Sequence, residues 1–129
     1  MQVSASGLRA QSVRMRIIAE NLANKDSVAS ASGGDPYRRK IVSFKSAVDR
    51  QTGLNVVAAN RVSVDRSAFG RTYQPGHPAA DKEGYVTTSN VNSLIETTDM
   101  MNAQRSYEAN LSAIEAAKAM TMRTIDLMR

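Results

Sequence analysis

The last thirty-eight residues of this 129-residue chain, Asn92 to Arg129, contain neither proline nor glycine. Nothing there forces a break, so the simplest conformation is one helix about 55 Å long. Such a helix gains most of its stability by burying a face against something else. At about 100° per residue, Met100, Ala103, Tyr107, Leu111, Ile114, Ala117, Ile125 and Met128 form one apolar stripe. Asn110, Lys118 and Thr121 interrupt it. On another side lie Met101, Ala109, Ala113, Ala116, Met120 and Leu127. Ser93 followed by Glu96 fits a capping box at the start, with Asn90 and Asn92 as competing N-caps.

The opposite end has the same period. Between Gln2 and Asn24, Leu8, Met15, Ile18, Ala19 and Leu22 share a face, with Met1 and Ala5 at its edge. Arg9, Arg16 and Glu20 lie opposite, and Val3, Ala10 and Ile17 form a second, narrower apolar strip. This predicts a helix about 35 Å long. The expected fold is therefore mainly α, with long N- and C-terminal helices paired as a coiled-coil-like bundle. A surface helix needs one apolar face, and each of these has two. Pairing would leave the second strips as an interaction surface, unless the middle of the chain folds back over them.

The middle, residues 27–90, has a different character. "SVASASGGDP" (27–36) is small, polar and Gly-containing, which predicts a flexible loop. "RRKIVSF" (38–44) and "LNVVAANRVSV" (54–64) carry β-branched residues and flank the turn signal "DRQTG", which predicts a β-hairpin. "GRTYQPGHPAADKEGYV" (70–86) holds two of the three prolines and predicts an irregular connection with short extended pieces at Tyr73 and Tyr85-Val86. Five of the six aromatic rings lie in this middle segment, so a small conventional core belongs there. The chain is thus expected to divide into an N-terminal helix (1–26), a β-containing middle (27–90) and a C-terminal helix (91–129).

Catalytic chemistry has little to work with. There is no cysteine, hence no disulfide or thiolate site, and the single histidine, His77, lies between Gly76 and Pro78 in an expected turn. No spacing makes a base, nucleophile and orienting group of His77, Asp81, Ser67 and Ser89, and Gly33-Gly34 is no phosphate cradle. Enzymatic activity, a cofactor and a bound metal are all unexpected. No apolar run is long enough to span a bilayer or to serve as the core of a cleaved signal peptide. The net charge is +5, and the basic excess sits ahead of residue 91: thirteen bases to seven acids there, against four to five beyond. Arg38-Arg39-Lys40, with Lys45 and Arg50, is the densest positive stretch. A solvated strand end, or a bridge to an acidic neighbour, is the expected role. A nucleic-acid-binding module over residues 38–50 is the alternative, without a helix-turn-helix or RNA-binding aromatic pattern to accompany it.

One segment remains. "AENLANKDS" (19–27) sets Asn21 and Asn24 three apart where the first helix should end. Asparagine is poor inside a helix and good at ends, so both are expected to cap or bend it. The longer string "IIAENLANKDS" (17–27) resembles the N-terminal signature of the flagellar axial proteins, which include rod, hook and hook-filament junction subunits. Within that family "SASGLRAQSVRMRIIAENLANKDS", "DPYRRKIVSF", "YQPGHPAADKEGYV" and "NVNSLIETTDMMNAQRSYEANLSAIEAAKAM" resemble, in order, segments of the C-type proximal rod subunits. The first helix begins almost at Met1, where family members usually carry several more residues upstream.

The resemblance implies a structural subunit, exported by the flagellar type III apparatus without a cleaved signal peptide and stacked helically in the periplasmic rod around the export channel. Its partners would be other copies of itself, other rod subunits and the MS-ring or export-gate complex, with no nucleic acid and no direct membrane insertion. The expected assembly interface takes Leu8, Met15, Ile18, Asn21, Leu22 and Asn24 from the first helix. The middle contributes Arg38, Arg39 and Lys40. The last helix contributes Tyr107, Leu111, Ile114, Met120 and Ile125.

Overall fold

A computed structural model describes residues 2–31 and 33–129, with the side chains of all but Ala59 and Asn60. The chain runs through helix α1 (Gln2–Ala23), strands β1 (Lys40–Val48), β2 (Asn55–Val64), β3 (Gly70–Tyr73) and β4 (Tyr85–Thr88), and helix α2 (Ser93–Leu127). The two terminal helices are in contact, and the middle forms two small antiparallel sheets, β1-β2 and β3-β4. The architecture is the mainly α one that the periodicity predicts.

Both helix ends have identifiable stops. Asn24 closes α1: its backbone N–H (3.2 Å) and its side-chain amide (2.9 Å) both donate to the Glu20 carbonyl. The Ser27 N–H then donates to the Asn24 carbonyl at 3.0 Å. α2 starts on Asn92, whose side-chain oxygen accepts from the Leu94 N–H at 3.0 Å. The Ser93–Glu96 capping box does not form. Glu96 is turned inward, where a guanidinium outcompetes a surface N–H for its carboxylate.

The β1-β2 turn is closed by two backbone bonds, from the Asp49 N–H to the Leu54 carbonyl (2.8 Å) and from the Gly53 N–H to the Asp49 carbonyl (2.7 Å). In the second sheet Gly70 pairs with Thr88, Arg71 with Thr87, Thr72 with Val86 and Tyr73 with Tyr85. Tyr73 and Tyr85 meet edge to face, with centroids 5.3 Å apart. The connection between them requires Gly84 at φ +86°, and a Cβ there would lie 2.9 Å from the Tyr73 ring. An isolated bridge between Val28 and Thr88 ties the loop after α1 to β4.

The chain divides into two compact units. One comprises Met1–Met15, Val42–Arg61 and Met101–Arg129; the other Arg16–Ile41 and Val62–Met100. Each takes part of both helices. The second unit buries Ile17, Ile18, Ala29, Ala79 and Val86 among its apolar residues. In the first, the buried residues are small: Ser6, Ala10 and Ala103. Gly7 there lies so close to Asn110 that a Cβ would fall 2.8 Å from the Asn110 amide. Taking Gly7 as level with Asn110, α2 continues past the level of Gln2 for about a dozen residues. All residues from Lys118 onward are exposed.

Candidate functional site

The second unit is organised by Asn21. Its amide nitrogen donates to the Lys40 carbonyl (2.9 Å) and to Glu96 Oε2 (3.2 Å). Its oxygen accepts from the Lys40 N–H (2.9 Å) and from the Tyr37 hydroxyl (2.8 Å). Two donors and two lone pairs are thus all satisfied, which a buried amide requires. A helical side chain here does what a neighbouring strand would do: it pairs with both backbone groups of the first residue of β1. Asn21 is therefore a buried tie rather than a helix cap, and the capping role falls to Asn24 alone.

Among the described residues Glu96 is the largest fully buried side chain, at 1% exposure. Its two oxygens are divided between Asn21 and the Arg39 Nε. The Arg39 Nη1 reaches Asp65 at 3.3 Å and Nη2 reaches Asp99 at 3.6 Å. Burial works against the Arg39 charge, but its hydrogen bonds and charge pairing with Glu96 and Asp65 outweigh it and hold the guanidinium above its ordinary range. Hydrogen bonds from Ser67, first the backbone N–H and then the side chain, help hold the Asp65 carboxyl below the usual range, with Arg39 adding to the effect. Burial pushes the Tyr37 hydroxyl up. Asn90 completes the clasp: its oxygen accepts from the Arg39 N–H at 2.7 Å, and its nitrogen donates to the Asp65 carbonyl at 3.0 Å.

The residues expected at an assembly interface fall into three groups. Ile18 and Asn21 are buried. Leu8, Met15, Leu22, Asn24, Tyr107 and Ile114 are half-buried. So are Arg38, Arg39 and Lys40, and each has a partner within the chain. Arg38 donates to the Asp65 (3.2 Å) and Ser67 (3.3 Å) carbonyls and lies 4.1 Å over the Phe69 ring. Lys40 meets Glu20 at 3.1 Å. Leu111, Met120 and Ile125 are exposed.

The two second strips also part company. On α1, Ala10 and Ile17 are buried by the chain itself, leaving Val3 exposed. On α2, Met101, Ala109, Ala113, Ala116, Met120 and Leu127 all face outward. His77 lies in its turn, Nδ1 accepting from the Ala79 N–H at 3.0 Å. Among the described residues no group of His, Asp and Glu could hold a metal ion, and no helix is long and apolar enough to cross a membrane.

Tyr37, Asp65 and Asn90 escape sequence reasoning because each acts through a contact distant along the chain. Glu96 had a readable signal: it falls on the same helical stripe as Met100, Ala103 and Tyr107, so a carboxylate there faces inward and demands a cation.

Comparison with known proteins supplies the biological setting. Residues 1–29 match the family model described as flagella basal body rod protein, and residues 82–127 match that of the flagellar basal body rod FlgEFG protein C-terminal region. The flagellar basal-body rod protein FlgC of Agrobacterium fabrum is 46% identical over 128 residues, covering 99% of this chain and 92% of that protein. FlgC of Bacillus subtilis is 38% identical, covering 98% of this chain and 95% of its own length. FlgC of Salmonella typhimurium is 39% identical, covering 97% and 92%.

Proposed function

Since the chain belongs to the FlgC family of flagellar basal-body rod proteins and is a structural subunit of the rod rather than an enzyme, we propose that it builds the proximal rod by packing the outward faces of its terminal helices against other copies of itself. It assembles with other rod subunits, as its family does. The observation that carries the reading is the extent of exposed apolar surface on α2, with Leu111, Met122 and Ile125 on one side and Met101, Met120 and Leu127 on another. A soluble monomer gains nothing from such surface, and a subunit with neighbours on both sides buries it. Leu111, Met120 and Ile125 are assigned to direct contact between subunits. Asn21, Arg39, Lys40 and Ile18 are assigned an indirect part: they hold helix and strand together so that the contact faces are presented in one geometry.

The rest of the proposal concerns location. The subunit leaves the cytoplasm through the flagellar type III apparatus without a cleaved signal peptide, stands in the periplasmic part of the rod around the export channel, and abuts the MS-ring or export-gate complex at its base. The test is complementation in a flagellated host lacking its own copy. A tagged chain should restore swimming and be recovered in purified basal bodies. Failure to enter basal bodies while stably produced would overturn the proposal.

A further inference from the structure

α1 carries Arg9 and Arg16 on its outward side, and α2 carries Glu108 and Glu115 on its outward side. All four are exposed, and none has a hydrogen bond or ion pair among the described residues. On each helix the two charges are seven residues apart, which places them on one face at a separation of about 10.5 Å. That face is turned roughly 120–140° away from the side buried within the chain. The basic pair therefore cannot meet the acidic pair in its own chain, although their spacing matches.

We propose that these two faces meet between copies: α1 of one subunit docks on α2 of the next, with Arg9 against Glu115 and Arg16 against Glu108. The inference rests on the self-assembly proposed above and specifies its register. Three features support it. The charges are complementary and equally spaced. The surroundings are complementary in size: Ser12, Ala19 and Ala23 on the α1 side are small and exposed, while Met101, Leu111 and Met122 beside the α2 acids are bulky and exposed. The direction also fits. Gly7 lies against Asn110 and Asn21 against Glu96, so the two helices run antiparallel within the chain. Copies stacked in one orientation then set α1 of one antiparallel to α2 of the next, and the antiparallel register matches Arg9 to Glu115 and Arg16 to Glu108 together.

Within the chain Arg9 is level with Glu108, by the register of Gly7 and Asn110. The proposed contact therefore shifts neighbouring copies by one heptad, about 10.5 Å along the helices. Each copy uses a different patch on its two sides, so the contact does not close into an isologous dimer and can pass from copy to copy along an assembly. Exposed ion pairs add little affinity; here they select the register, and the apolar side chains beside them supply the attraction.

The test uses basal bodies from a host carrying only the altered chain. Arg9→Glu with Arg16→Glu should lower recovery in basal bodies at least tenfold, and Glu108→Arg with Glu115→Arg should do the same. All four changes together reverse every contact at once and should restore recovery to within about twofold. Export is controlled by a second measurement, which exploits the absence of native cysteine. Arg9→Cys with Glu115→Cys should give an oxidised ladder of dimers and larger species in assembled rods, whereas Arg9→Cys with Glu108→Cys should not. No ladder from the first pair, or full recovery of either reversed pair, overturns the register. Absence of the unaltered chain from basal bodies would instead defeat the rod reading itself.

Discussion

The same two helices pass through both units, and the units treat them differently. In the unit containing Asn21 and Glu96, Ile17, Ile18 and Val86 are buried, and a fully paired polar clasp joins α1 to α2. In the unit containing Gly7 and Asn110, the buried residues are Ser6, Ala10 and Ala103, while Met101, Leu111, Met120, Met122 and Ile125 of α2 are exposed. Small residues let helices approach closely but bury little area, and burial returns about 25 cal/mol per Å². Fixing each residue costs about 1–2 kcal/mol, so the first end has more burial to set against that cost than the second. The contrast suggests a subunit with a prefolded anchor and an end that becomes ordered on assembly.

The largest expected effect separates the two ends. Leu111→Asp or Ile125→Asp should abolish entry into basal bodies, because each puts a carboxylate in apolar surface assigned to contact between subunits. Urea unfolding of the purified subunit should be nearly unchanged, since both positions are already exposed. Hydrogen exchange on the same monomer sharpens the comparison. Amides of residues 17–21 and 95–100 should be protected, while those of 112–127 should exchange rapidly. Equal protection at both ends would remove the distinction.

Glu96→Ala attacks the anchor instead. It strips the Arg39 guanidinium of its main partner and leaves one Asn21 donor unpaired, at a cost of about 3 kcal/mol. The urea midpoint should fall sharply, and protection of residues 17–21 should be lost. Gly84→Ala should cost about 2 kcal/mol in the same unit, because a side chain at φ +86° is strained and the new Cβ meets the Tyr73 ring and Pro75. A midpoint indistinguishable from that of the unaltered chain in either variant would show that the unit's stability lies elsewhere.

Much of this was legible from residue pattern alone. The Pro- and Gly-free C-terminal run became α2, the turn signal at residues 49–53 joined β1 to β2, and Tyr73 and Tyr85 fell in short strands that pair. Helix periods and turn residues are local properties, and local properties can be read from sequence. Asn21 was legible only as an anomaly: a poor helix former near a helix end looks like a cap, and only the packing of β1 beside it reveals the tie to Lys40. Glu96 was misassigned to a capping box because Ser93 lies three residues before it, while its true partner, Arg39, is 57 residues away. Which second strip would be covered was equally beyond periodicity: Ala10 and Ile17 on α1 look no different from Ala113 and Met120 on α2.

The smallest expected effect concerns acid, and it belongs to the anchor. Asp65 and Asp81 both lie in that unit, and both are held below the usual carboxylate range: Asp65 by hydrogen bonds from Ser67, with Arg39 adding to them, and Asp81 by the N–H groups of Tyr85 and Glu83 together with Arg71. In the unfolded chain such a group takes its proton near pH 3.9, about the ordinary aspartate value. The folded form takes it only at lower pH. The stability the two carboxylates contribute is therefore complete above that value and is lost as pH falls through their depressed folded values. Both are near the surface, so solvent screens the effect and the change should be modest. Hydrogen exchange at residues 17–21, or the urea midpoint, should be flat from pH 7 to 5 and decline between about pH 4 and 2. The double variant Asp65→Asn with Asp81→Asn should start from a lower midpoint and decline less over that acid range. An equally steep decline in the double variant would assign the acid sensitivity to other carboxylates and leave the Asn21–Glu96–Arg39 clasp as the main polar support of the anchor.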